Sequence, residues 1–180
     1  MGIIMNKRTS RKQGGFTMIE LVIGILIMAV GIAVIAPILN GLLNSNVKAS
    51  AEVSAMTRTV NIIDDRYYSE AIDGDLNNTE IVVAKLYAEA YRVTGDNIYN
   101  QFGGKITIEG VGDNGLIWTS EKITTDACIN VVNGAKNLGF ETVNVGGTDL
   151  KYSEIKKSDM SAACDTTDDN LTVVWTREEA

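Results

Sequence analysis

The feature that most restricts this chain is Leu21–Leu39, nineteen residues without a charge, followed by no charge until Lys48. At a helical rise of about 1.5 Å per residue, such a run nearly crosses a hydrocarbon core of roughly 30 Å. Lys7, Arg8, Arg11 and Lys12 precede it, then Gly14-Gly15 and Phe16-Thr17-Met18-Ile19-Glu20. A basic flank stays on the cytoplasmic side, which places the C-terminal part outside. An ordinary secretory signal is cut after its apolar stretch, at small residues. The tripeptides around Asn40–Asn46 lack that pattern, and the glycine pair comes before the run. A plain membrane anchor would account for the basic flank and the apolar run but not for Glu20. A carboxylate beside an apolar span costs a few kcal/mol to insert, so it calls for a partner.

Charge and composition remove several function classes. The chain has 180 residues and a net charge of -7, which argues against general nucleic-acid binding. It has no histidine, which excludes a His-dependent triad or zinc site. Cys128 and Cys164 are far apart, and two thiols alone cannot form a tetrahedral zinc site. They read either as one disulfide in an exported domain or as two buried free thiols. Asp165, Asp168 and Asp169 read as a solvated turn or as an oxygen-rich calcium loop, although their spacing does not fit the twelve-residue helix-loop-helix pattern. Asp64-Asp65 and Glu178-Glu179 read as a helix surface and a tail, and Trp118 and Trp175 as core or sheet face. Gly103-Gly104 lacks the Gly-Lys-Ser/Thr of a phosphate loop. No catalytic constellation is present, so neither enzyme activity, a metal nor a cofactor is expected.

Periodicity organises the remainder. The apolar helix, interrupted by Gly24, Gly31 and the sole proline, Pro37, is expected to continue into an amphipathic one. Ala49, Val53, Met56, Val60, Ile63 and Tyr67 recur at steps of four and three, as the inner face of a helix under a globular head. Asp73–Asn78 carries turn residues that end it. Thr79–Arg92 reads as a second helix with Ile81, Leu86 and Ala90 toward the core, followed by a loop through Gly104. Lys105–Val111 and Leu116–Glu121 read as a hairpin around Gly112-Asp113-Asn114-Gly115. Thr125 is the expected cap of a helix reaching Leu138, with Gly139 as its stop. Phe140–Val145 and Leu171–Thr176 complete the strands. The fold class is α+β, one long N-terminal helix packed on an antiparallel sheet.

Lys-Gln-Gly-Gly-Phe-Thr-Met-Ile-Glu-Leu, residues 12–21, resembles the processing site of type IV prepilins and pseudopilins. The resemblance implies a leader of residues 1–15, an apolar transmembrane and filament-core helix over 16–46, and an amphipathic helix half plus head over 47–180. It implies cleavage between Gly15 and Phe16 and N-methylation of Phe16 by a membrane aspartyl peptidase. Gly15 would let the extended chain approach that enzyme closely. Glu20 would pair with the α-amine of Phe16 on a neighbouring subunit and set register, and Pro37 stands where this family often has a proline. Removing the leader would change the net charge from -7 to -11, since -7 - 4 = -11. Asn100-Gln101-Phe102-Gly103-Gly104, Thr125-Asp126-Ala127-Cys128 and Ala162-Ala163-Cys164 resemble the head of type IVb pilins, especially bundle-forming pilins. That likeness implies a Cys128–Cys164 disulfide closing a variable surface region. The short leader and Phe16 resemble type IVa instead. The expected protein is a major pilin of a surface filament for adhesion, aggregation or plasmid transfer, with a minor pilin or a type II secretion pseudopilin as alternatives. Its implied partners are copies of itself, the prepilin peptidase and methyltransferase, the inner-membrane assembly platform and membrane lipid.

Overall fold

The computed structural model describes residues 44–67, 76–112, 114–166 and 170–178. Gly15, Phe16, Glu20, Pro37 and the apolar run lie outside these residues, as do Asp73–Asp75. The chain divides into two compact units, Met1–Asn40 and Gly41–Ala180, and the described residues all belong to the second.

Helix α1, residues 44–66, follows the expected stripe. Ala49, Met56, Val60 and Ile63 are buried, while Val53 and Tyr67 are half-buried. The buried face also takes in Glu52, Ala55 and Thr59, so it is wider and more polar than the apolar stripe. Two threonines inside the helix are satisfied locally: Thr57 donates to the Val53 carbonyl at 2.7 Å and Thr59 to the Ala55 carbonyl at 2.9 Å.

The second helix is shorter than the sequence predicts. α2 covers Asn78–Val83, with the Asn77 side chain accepting from the Thr79 and Glu80 amides. It ends because Lys85 takes the left-handed conformation, φ +56°. The Leu86 amide then bonds the Ile81 carbonyl and the Lys85 amide the Val82 carbonyl, which is a Schellman cap with lysine where glycine is usual. Leu86 and Ala88 are buried although neither is helical, and Ala90 is exposed rather than inward. Arg92, read as helix, opens strand β1, Arg92–Thr94, which turns at Gly95 into β2, Asn97–Tyr99. Neither short strand was legible as such.

The central hairpin forms as expected from β3, Lys105–Val111, and β4, Gly115–Ile123. β4 buries Leu116, Trp118 and Ser120, then shifts register at a bulge where Lys122 has φ +58°, so that Ile123 returns to the core. Helix α3, Thr125–Ala135, is capped by Thr124 rather than Thr125, without a side-chain capping bond. It stops short of Leu138, and a turn leads to Gly139 at φ +82°. β5, Thr142–Val145, and β6, Thr148–Lys151, form a second hairpin around Gly146-Gly147. Both glycines have positive φ, as a two-residue hairpin loop of this kind requires. Helix α4, Lys157–Cys164, and strand β7, Leu171–Arg177, complete the described elements. β6 and α4 are not among the elements expected from the sequence.

The seven strands form one sheet in the order β1-β2-β3-β4-β7-β5-β6, with every pairing antiparallel. The last strand therefore lies inside the sheet and joins the two hairpins. Trp118 and Trp175 face each other across β4 and β7. Both belong to one buried cluster with Met56, Val60 and Ile63 of α1 and Val131 and Val132 of α3.

Gly134 sets how closely α3 approaches α1. A Cβ there would lie 2.5 Å from a Val53 methyl carbon, and a β-branched valine in a helix has little rotamer freedom to retreat. Gly134→Ala should destabilise the head by about 1–3 kcal/mol in chemical denaturation. Adding Val53→Ala should recover part of the loss. A neutral single variant would show that the two helices are not in this contact.

Candidate functional site

The first notable constellation lies where α1 meets the β1–β2 hairpin. Glu52 projects from the buried face of α1 and is 1% exposed. Its Oε1 accepts from the Tyr91 hydroxyl at 3.0 Å and its Oε2 from the Gln101 amide at 3.0 Å. Tyr91 immediately precedes β1, and Gln101 lies just beyond β2. One carboxylate thus fastens both ends of the hairpin to the helix. Burial raises the Glu52 carboxyl from its usual range to about 7, partly opposed by the bonds from the Gln101 amide and the Tyr91 hydroxyl. Burial and the neighbouring carboxylate push the Tyr91 phenol upward, so it remains a donor. Its ring lies 6.2 Å from that of Trp118, whose Nε1 is buried without a hydrogen-bond partner among the described residues. A second tie runs from the Ala88 amide to the Thr59 hydroxyl of α1 at 2.9 Å.

The Asn100–Gly104 segment is a turn held by one side chain. Asn100 Oδ1 accepts from the Phe102 and Gly104 amides, and its Nδ2 donates to the Ser120 hydroxyl and the Glu121 carbonyl. Gly104 is required by space, since a Cβ would collide with the Glu121 carbonyl. This motif of the sequence therefore works as a structural turn against β4.

The other end of the head is closed covalently. Cys128 of α3 and Cys164 of α4 form a disulfide, with Cα atoms 5.8 Å apart and a sequence separation of 36. In the chain-entropy account such a closure contributes on the order of 3–4 kcal/mol. It encloses the β5–β6 hairpin and α4. Within the enclosed segment, the Tyr152 hydroxyl donates to the Val132 carbonyl at 2.7 Å and accepts from Trp175 Nε1 at 3.0 Å. Desolvation raises the Tyr152 phenol above its ordinary value. Trp175 is thus both core and hydrogen-bonded, whereas Trp118 is core alone.

The paired carboxylates do not converge. Asp64 forms a two-pronged ion pair with Arg177 of β7, at 2.8 and 3.2 Å, which ties the end of α1 to an interior strand of the sheet. Asp65 is exposed. Asp165 follows α4, while Asp168, Asp169 and Glu179 lie outside the described residues. Among the described residues no three acidic, histidine or cysteine side chains are grouped to hold a metal, and no helix is long and apolar enough to cross a membrane. Within this head the constellations are mechanical. They fix peripheral segments to α1, to α3 or to the interior strands β4 and β7.

Glu52 supplies a pH test. Its folded-state value lies above the ordinary carboxyl value of 4.5, so the folded protein holds the extra proton between pH 4.5 and about 7. Stability should fall as pH rises across that window and level off above it, by on the order of 3 kcal/mol from this group. Glu52→Gln can donate to the Tyr91 oxygen and accept from the Gln101 amide without charge. Its advantage over the native protein should therefore grow from pH 4.5 to about 7 in urea melts. A pH-independent difference would mean that the carboxylate is solvated.

Residues 43–178 match the protein family described as PilS N terminal. Residues 10–36 match the prokaryotic N-terminal methylation motif. No curated protein matches this chain. A type IVb pilin from Salmonella typhi superposes with a TM-score of 0.51 at 19% identity, covering 77% of this chain and 97% of that one. TcpA, a type IV pilin from Vibrio cholerae El Tor biotype, gives a TM-score of 0.45 at 13% identity, over 73% of this chain and 99% of that one. At its identity the Salmonella likeness speaks for the fold, while the family match and the methylation motif together cover the basic flank, the apolar run and the head. The chain belongs to the PilS N-terminal family, and it is a type IV prepilin.

Proposed function

We propose that this chain is the major subunit of a type IV pilus, held in the inner membrane before assembly into a surface filament for adhesion, aggregation or plasmid transfer. Residues 1–15 act as the leader, 16–46 as the apolar anchor and filament-core segment, and 47–180 as the exported part. The observation that carries this reading is the methylation motif over residues 10–36, which spans part of the basic leader, Glu20 and most of the uncharged run. A disulfide-closed head follows in the same chain. The peptidase cuts between Gly15 and Phe16 and the new amine is methylated. The apolar segment waits in membrane lipid until the assembly platform adds the subunit to a growing polymer of identical copies.

The role of Glu20 follows from electrostatics. Cleavage creates a positive amine on Phe16 at the end of an apolar segment. Inside a filament core that amine leaves water, and an unpaired buried charge is very costly. The Glu20 carboxylate of an axially shifted neighbour meets it, and their attraction is greatest where the dielectric is low. The pairing therefore acts during packing, and a subunit in the wrong register leaves two charges unmatched. Lipid-facing and core-facing surfaces need no charge elsewhere in the run.

Surface filaments sheared from cells should contain this chain as their most abundant protein, beginning at a methylated Phe16 in intact-mass spectra. Abundance far below that of another subunit would assign it a minor role, and retention of residues 1–15 in filaments would sink the processing reading. Glu20→Ala should accumulate as normally cleaved subunit in the inner membrane while filaments seen by electron microscopy become few or absent. Wild-type filament numbers from that variant would remove the register role of Glu20.

A further inference from the structure

A groove of about 650 Å³ opens between α1 and the segment that follows α2. Arg58, Asn61 and Ile62 line it from the helix, and Lys85, Tyr87 and Glu89 from the segment. The two cations stand on an acidic chain of net charge -7. Two other arginines of the head are engaged: Arg177 pairs with Asp64, and Arg92 lies over the Tyr99 ring at 4.5 Å. The Arg58 and Lys85 side chains form no ion pair or hydrogen bond among the described residues. Lys85 also occupies a left-handed position, φ +56°. The cap of α2 requires that backbone conformation but would be met with less strain by glycine. The fold thus explains the conformation of residue 85 and leaves the lysine side chain without a structural use. Strain retained in this way is grounds for a functional hypothesis.

We propose that this groove binds a carboxylated sugar. Arg58 offers a planar two-pronged donor for a carboxylate, and Lys85 a second positive charge lining the same groove. The half-buried Tyr87 ring gives a flat face against which a sugar ring can stack. Asn61 and the Glu89 carboxylate accept from, and the Asn61 amide donates to, sugar hydroxyls. Glu89 also disfavours phosphate or polyphosphate, because a second acid beside a densely charged anion repels it. The volume falls within the range of small-ligand sites, roughly 300–1,000 Å³. Such binding does not depend on the major-subunit reading, since it concerns a surface of the head alone.

The test uses the full-length chain in detergent micelles with saturation-transfer NMR. The probes are sialyllactose, a short galacturonate oligomer and, as the uncharged control, lactose. Sialyllactose or the galacturonate should receive saturation and lactose should not, which also tells a sialic acid from a hexuronate source. Arg58→Gln should weaken binding at least tenfold with an unchanged melting temperature. Lys85→Gly should weaken it similarly while raising the melting temperature by about 2–4 °C, because the strain is relieved. That opposite movement separates lost binding from lost folding. Equal signals from lactose and the charged sugars, or a Lys85→Gly protein that binds as before, would overturn the proposal. So would a chain that binds none of the sugars but whose self-association changes on Lys85→Gly, which would give the groove to an acidic surface of a second copy.

Discussion

A buried carboxylate held by a hydroxyl and a backbone amide organises the part of this head that the sheet alone does not hold. Glu52 emerges from the packed face of α1 and is engaged on one side by the Tyr91 hydroxyl and on the other by the Gln101 amide. β1 and β2 are three residues each, too short for an independently stable hairpin. β1 lies at the edge of the sheet and would be left to fray. The carboxylate changes that by satisfying a donor at each end of the hairpin from a rigid helix, and desolvation makes each bond stronger than it would be at the surface. The same burial makes the clamp sensitive to the ionisation of a single group.

The remaining ties repeat this logic at other depths. Thr59 reaches the Ala88 amide, Asp64 reaches Arg177, and Val53 fits against Gly134. Together they run along α1 from its middle to its end, so the helix is joined to both the early loop and the last strand. β7 is central because it bridges the two hairpins, and the disulfide closes the region those strands support.

The long elements were legible because they bury apolar side chains at regular spacing. Ala49, Met56, Val60 and Ile63 announced α1, and Ile106, Ile108, Leu116 and Trp118 announced the central hairpin. Thr79–Arg92 misled because the stretch holds neither glycine nor proline to mark a break, while the actual stop is a left-handed lysine. β6 and α4 carry few buried apolar residues, and the β5–β6 turn at Gly146-Gly147 was the missed signal for the first of them. Glu52 was missed for a different reason. It sits beside the apolar stripe, and its partners lie 39 and 49 residues away, so only the fold brings them together. The cysteine pairing is present as the type IVb likeness implied. Gly15, Phe16, Glu20 and Pro37 rest on sequence, because they lie outside the described residues.

If Glu52 clamps the β1–β2 hairpin to α1, the two open as one cooperative unit. Native-state hydrogen exchange read at the Gln101 amide tests this most directly. At about pH 6, where the Glu52 carboxyl is largely protonated, that amide should exchange only through the same opening that exposes the amides of β3 and β4. Exchange of Gln101 at the rate of an exposed loop, while β3 and β4 remain protected, would contradict the clamp.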